Sequence, residues 1–203
     1  MLQWLREQNC PWNASTIANA ARGGHLELLK WAKQNGCEMN KEACSEAAAS
    51  GKLETLQWLR DNGCPWNEKT CAEATVWGNI TLLKWARENG CPWDEEAFSN
   101  AAYYGNFKTL NYLKENNCPW SEETCASAAR ALRRNLKTLQ LLRGWGCPWN
   151  ESLIDAALGM KKHYDVVTWA LENGCPISED SITELETDGK VDLLKLVKNK
   201  SVL

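Results

Sequence analysis

A Cys-Pro-Trp triplet, or a close variant, returns along the chain at Cys10, Cys37, Cys64, Cys91, Cys118, Cys147 and Cys175. The intervals are 27, 27, 27, 27, 29 and 28 residues. So regular a period means a repeat array, in which each unit buries its apolar face against its neighbours. The architecture follows before any propensity is weighed. Residues common to every repeat are expected to serve the scaffold, so function is sought where repeats differ.

The repeat from Cys64 to Gly90 reads as helix, tight turn, helix, short link. Asn67 is placed to cap a first helix, and Asn13, Asn40, Asp94, Ser121, Asn150 and Ser178 stand in its place elsewhere. Glu68 follows, near the positive end of the helix dipole. Trp66, before the cap, and Cys71, four residues after it, are spaced as a hydrophobic staple. Trp12 with Ile17, Met39 with Cys44, Trp93 with Phe98, Trp120 with Cys125, Trp149 with Ile154 and Ile177 with Ile182 repeat that spacing. Alanine pairs near the end of the first helix let a second helix approach closely, and Gly24, Gly51, Gly78 and Gly105 break the chain. The second helix carries Ile80, Leu82, Leu83, Trp85 and Ala86 at helical spacing, with Lys84, Arg87 and Glu88 on the wet side. It ends at Asn89-Gly90-Cys91-Pro92, where glycine suits a left-handed Schellman ending and proline forbids continuation. No segment reads as a strand. The fold class expected is all-α, a solenoid of stacked helix-turn-helix repeats.

Ten cysteines in 203 residues raise the question of disulfides and metal. Seven occupy one place in successive repeats, roughly 8–10 Å apart in stacked helices, whereas a disulfide needs Cα atoms within about 7 Å. Cys44, Cys71 and Cys125 lie seven residues after a repeat cysteine, and neither His25 nor His163 completes a zinc spacing. The expectation is buried, reduced thiols with no metal and no cofactor, as suits a cytoplasmic protein. A net charge of −3 gives no general reason to expect nucleic acid or a membrane surface. No apolar run approaches the roughly 18 residues of a spanning helix. No catalytic motif is present, so no enzyme is expected.

The segment Ala20-Ala21-Arg22-Gly23-Gly24-His25-Leu26-Glu27-Leu28-Leu29-Lys30-Trp31 resembles an ankyrin repeat. Weaker copies run from Ala47 to Trp58, Ala74 to Trp85 and Ala101 to Tyr112. Ankyrin repeats are usually about 33 residues. The shortfall here lies between Gly-Cys-Pro-Trp and the next helix, so the resemblance implies hairpin fingers reduced to short turns. The short Cys-Pro-Trp variety is similar to large ankyrin arrays of algae, protists and large DNA viruses, which implies host cell cytoplasm if the chain is viral. The expected organisation is a single repeat domain over 1–203. It has a half repeat at 1–9, repeats at 10–36, 37–63, 64–90, 91–117, 118–146 and 147–174, and a capping repeat at 175–203. The opening half repeat suggests a fragment or one end of a longer array. Glu184, Glu186 and Asp188, followed by Lys198 and Lys200, give the last repeat a polar face suited to a cap.

In the ankyrin family the two residues after the alanine pair often contact a partner. Here they include Val76, Trp77, Tyr103, Tyr104 and Arg130, residue types that anchor interfaces or pack between repeats. The resemblance therefore implies a non-catalytic protein–protein scaffold or adaptor that binds a partner protein on these positions, while the net charge of −3 and the lack of aromatic residues interleaved through the basic turns argue against a nucleic-acid partner. The alternative is a nucleic-acid or phosphate-binding module. It would use basic insertions in the fifth and sixth turns, where Arg133, Arg134, Lys161, Lys162 and His163 fall. The competing view of that patch is a solvated loop.

Overall fold

Caps and left-handed turns divide the chain into helices much as the repeat predicts. The computed structural model describes residues 13–131, 135–159 and 162–200, without the side chains of 199 and 200. Fourteen helices and no strand occur among the described residues. Six belong to a compact unit spanning Met1–Trp93: α1 (Ala14–Gly23), α2 (Leu26–Gln34), α3 (Lys41–Ala49), α4 (Leu53–Asp61), α5 (Glu68–Val76) and α6 (Ile80–Glu88). Eight belong to a second unit, Asp94–Leu203: α7 (Glu95–Tyr104), α8 (Phe107–Glu115), α9 (Glu122–Arg130), α10 (Asn135–Gly144), α11 (Ser152–Leu158), α12 (Tyr164–Glu172), α13 (Glu179–Thr187) and α14 (Val191–Lys200).

In each unit the first helices of successive repeats pack on one another, α1 on α3 on α5, and α7 on α9 on α11. Alanine makes this close approach possible: Ala20, Ala21, Ala47, Ala48, Ala101, Ala102, Ala128 and Ala129 are all buried. Each second helix pairs with its own first helix and supplies the larger core side chains, such as Leu56 with Leu59, Leu82 with Leu83 and Leu110 with Leu113. Burying each such leucine contributes about 1.5–3 kcal/mol.

Both helix ends in a repeat close in the same way. At the inter-helix turn, Gly24 (φ 72°) donates its N–H to Ala21 and the His25 N–H reaches back to Ala20, each at 3.0 Å. At the link, the Gly90 N–H reaches Arg87 at 3.0 Å and the Cys91 N–H reaches Ala86 at 2.9 Å. These paired bonds are the Schellman arrangement, and they satisfy carbonyls that the helix would leave open. In the fourth repeat Asn117 takes the left-handed place (φ 55°) that glycine holds elsewhere.

The cap residues perform as expected in most repeats. Asn13 accepts from the Thr16 N–H at 3.3 Å, Asn40 from Glu42 at 3.2 Å, Asp94 from Glu96 at 3.0 Å and Ser178 from Ser181 at 3.1 Å. The Asn67 side chain makes no cap bond. In the sixth repeat the helix starts one residue late, with Glu151 at the cap, while Asn150 still accepts from the Ser152 N–H at 3.0 Å. Asn79 and Asn106 cap the second helices α6 and α8 through Leu82 and Thr109, each at 3.1 Å.

The repeat cysteine is more than a small apolar residue. Its thiol points at the backbone carbonyl of the preceding repeat's cap: Cys37 to Asn13 at 3.6 Å, Cys64 to Asn40 at 3.1 Å, Cys91 to Asn67 at 3.5 Å. In the second unit Cys118 reaches Asp94 at 3.4 Å, Cys147 reaches Ser121 at 3.7 Å and Cys175 reaches Asn150 at 3.4 Å. The nine described cysteines are free thiols.

Arg87 corrects the expected wet side. Its guanidinium lies 4.0 Å from the Trp93 ring centre and donates to the Cys91 carbonyl. Arg60 does the same with Trp66 and Cys64, and Arg143 with Trp149 and Cys147; Lys114 covers Trp120 at 4.0 Å. Each indole also meets a ring of its own repeat where the contact is seen: Trp66 with Trp85 at 6.0 Å, Trp120 with Trp145 at 6.4 Å, Trp149 with Trp169 at 5.6 Å.

Gly90→Ala isolates the left-handed requirement. Gly90 has φ 82°, and an added Cβ there meets nothing within 4 Å. The substitution should destabilise by about 1–2 kcal/mol from backbone strain alone, and Gly90→Asn by less, as read from urea unfolding midpoints at constant slope.

Candidate nucleic-acid interface

The turn between the two helices of a repeat is where the repeats differ most. Trp77 ends α5 and is 74% exposed, the most exposed large apolar residue described. Val76 beside it is half-buried. In the second unit Tyr103 and Tyr104 end α7, 37% and 49% exposed, with ring centres 5.0 Å apart in an edge-to-face pair. Arg130 ends α9, but its guanidinium is turned back on Glu123 and the Ser127 hydroxyl of the same helix.

The basic insertions divide. Arg133, Arg134 and Lys161 lie outside the described residues. Lys162 adopts a left-handed backbone (φ 46°), and its ammonium donates to Asp188, with Glu184 at 3.4 Å. The Tyr164 hydroxyl donates to the same Asp188 oxygen at 2.7 Å, and the Lys190 ammonium sits 4.0 Å from the Tyr164 ring centre. Glu184 and Asp188 therefore bind the repeat before them instead of forming a simple wet cap. His163 stands at the N-cap position of α12 without a side-chain cap bond, and its buried Nε2 meets no hydrogen-bond partner among the described residues.

Sequence reading missed a hollow beside Tyr104. Gly105, Asn106, Phe107 and Lys108 line it with that ring, and this open hollow has a volume of about 430 Å³. The signal was present: among the first four turns, the fourth alone pairs two aromatic residues with a lysine.

Two buried thiols, Cys44 and Cys125, are held in the protonated form, while hydrogen bonding with Cys44 shifts its partner Cys64 the other way, below its ordinary value. Hydrogen bonding with Cys64 and then burial push the Cys44 thiol well above its ordinary value, and the same pairing with Cys147 acts on Cys125. Among the described residues, no group of three or more His, Cys, Asp or Glu side chains could hold a metal, and no helix is long and apolar enough to cross a membrane.

No family model matches the chain, and no curated protein matches it. The architecture is that of a helical-repeat solenoid. Among solved structures it is similar to the pentatricopeptide repeat protein PPR10 in complex with an 18-nt psaJ RNA element, with a TM-score of 0.50 and 15% identity over 98% of this chain. A cysteine-to-serine variant of PPR10 in complex with an 18-nt psaJ RNA element gives a TM-score of 0.50 and 14% identity over 98% of the chain. The chain spans about a third of the length of those proteins, 35% in each case.

Two expectations are corrected here. The protein-binding scaffold or adaptor, and the argument against a nucleic-acid partner, both yield to the finding that the similar solved structures are RNA complexes. The physical reason lies in the charge argument. A net charge of −3 is a whole-chain sum, and many carboxylates sit in first turns, such as Glu68, Glu95, Glu96, Glu122, Glu123, Glu179 and Asp180. That sum does not describe the turn ends of the same helices, and base stacking depends on exposed rings rather than net charge.

The Lys162–Asp188 contact carries a pH prediction. Hydrogen bonds from Lys162 and then Tyr164 hold the Asp188 carboxyl below its usual range. A depressed folded-state value stabilises the fold above the unfolded value, near 3.9, and that contribution is lost as pH falls through the folded value. Thermal melts should show the difference between wild type and Asp188→Asn present at neutral pH and vanishing as pH falls below the usual carboxylate range.

Proposed function

We propose that this chain is a non-catalytic, single-stranded RNA-binding segment of a helical-repeat protein. Bases stack on aromatic side chains at the turn ends of its first helices, on Trp77 in one unit and on Tyr103 and Tyr104 in the other. The observation that carries the reading is the exposure of these rings, 74%, 37% and 49%, in a fold whose remaining large apolar side chains are mostly covered. Aromatic rings at this exposure are the platform that single-strand binders offer to bases. The RNA present in the two similar structures supports the same reading.

Phosphate contacts fall to the insertions of the fifth and sixth turns. Arg133, Arg134 and Lys161 are the candidates, with His163 beside them, whereas Lys162 is committed to Asp188. The ankyrin-like segment Ala20 to Trp31 supports the finer view that these repeats are shortened relatives of the ankyrin unit, assembled as one repeat domain. The nine free cysteines support a reducing compartment such as the cytoplasm.

Fluorescence anisotropy with a labelled single-stranded RNA tests the proposal. Affinity should fall steeply between about 50 and 200 mM salt. The Trp77→Ala/Tyr104→Ala variant should bind at least about tenfold more weakly, since each stacked base contributes about 1–3 kcal/mol, with an unchanged melting temperature. Absence of binding by the wild-type protein at the lower salt would overturn the reading.

A further inference from the structure

We infer that the turn of the fourth repeat is a nucleobase pocket, which seats one RNA base against the Tyr104 and Phe107 rings and holds the adjoining phosphate on Lys108. The inference rests on the RNA reading above and specifies where a base is held.

The pocket arises from five consecutive residues. α7 ends at Tyr104, Gly105 turns the chain in one left-handed step (φ 62°), and Phe107 opens α8. Asn106 fixes the start of α8 by accepting the Thr109 N–H at 3.1 Å, so the floor of the turn is held by a cap bond. The edge of Tyr103 packs against the Tyr104 ring at 5.0 Å, which limits the ring's freedom before any ligand arrives. Preorganisation of that kind lowers the ordering cost of binding. The hollow is open to solvent on one side and about 430 Å³ in volume, enough for a flat ring to lie against its wall.

The chemistry of the lining selects the occupant. Two aromatic rings offer stacking surface, the Asn106 carboxamide offers a polar edge, and Lys108 offers a positive charge. Lys108 is exposed, and among the described residues no carboxylate pairs with it. Arg22, Arg130 and Lys162 at other turns are all paired with carboxylates. A flat, π-faced group joined to an anion satisfies all three features, and a nucleotide within a single strand is such a group. The corresponding residues of the other glycine turns lack the combination: Gly23 with Leu26 and Glu27, Ser50 with Leu53 and Glu54, Trp77 with Ile80 and Thr81.

The test compares the affinity of the full chain for a labelled oligouridylate with that of Tyr104→Ala, Tyr104→Phe and Lys108→Gln. Tyr104→Ala should weaken binding roughly 5- to 150-fold, while Tyr104→Phe, which keeps the ring, should stay within about twofold of wild type. Lys108→Gln should lower the salt slope by about one. Tyr104 is half exposed, so these changes should leave the melting temperature unmoved. If Tyr104→Ala proves less stable, Tyr104→Phe and Lys108→Gln still decide, and a phenylalanine variant as weak as alanine or an unchanged salt slope counts against the pocket. Wild-type binding with Tyr104→Ala unaffected would overturn the pocket and leave the RNA reading intact. No wild-type binding at low salt would overturn both.

Discussion

The structure depends on one contact, a cysteine thiol aimed at the cap carbonyl of the repeat before it. That carbonyl already accepts the first bond of its own helix, as with the Ala43 N–H on Asn40 at 3.1 Å, and its second lone pair receives the thiol. The end of one repeat is thereby tied to the start of the previous one. The residue before the cysteine, glycine at five of these joints and Asn117 at the other, is left-handed to deliver it, and at all but Cys37 a proline after it stops the helix. The tryptophan that follows is covered by the cation four residues before the cysteine, with an arginine at three of these joints also capping the cysteine carbonyl. A thiol is a weak donor, so the individual bond is small. Its value lies in position, since each such contact ties a repeat to the one before it.

Much of this was legible in the residues. Period, cap residues, left-handed glycines and the alanine seam each follow from local rules that use only neighbouring positions, and these give the helices nearly to the residue. Other features escaped because they depend on partners more than twenty residues away. Nothing local tells that the Cys64 thiol meets Asn40, or that Lys162 will spend its charge on Asp188. Arg87 was placed with the wet residues of an amphipathic helix, yet long side chains lay their stems over apolar surface and reach rings beyond the helix end, as Arg87 does with Trp93. The late start of α11 at Ser152 shows the limit even of a cap rule, because Asn150 keeps its side-chain bond while the helix begins one residue further on.

The candidate site was legible in part for a related reason. Trp77, Tyr103 and Tyr104 were visible as departures from a repeat, and the structure leaves them exposed. The hollow beside Tyr104 was not, because it needs the turn geometry that brings Phe107 and Lys108 round to the ring. The expectation against nucleic acid rested on a whole-chain charge, which does not describe a local surface. The two ends of a repeat differ: the link end is nearly invariant and ties each repeat to the one before it, whereas the turn end varies and carries the exposed rings of the proposed RNA contact.

That separation can be measured directly by photo-crosslinking the protein to a single-stranded RNA containing 4-thiouridine and mapping the modified peptides by mass spectrometry. The account predicts crosslinks on the turn-end peptides that carry Trp77 and Tyr103-Tyr104. Crosslinks confined to the link-end tryptophans Trp66, Trp93, Trp120 and Trp149, or none at all, would contradict it.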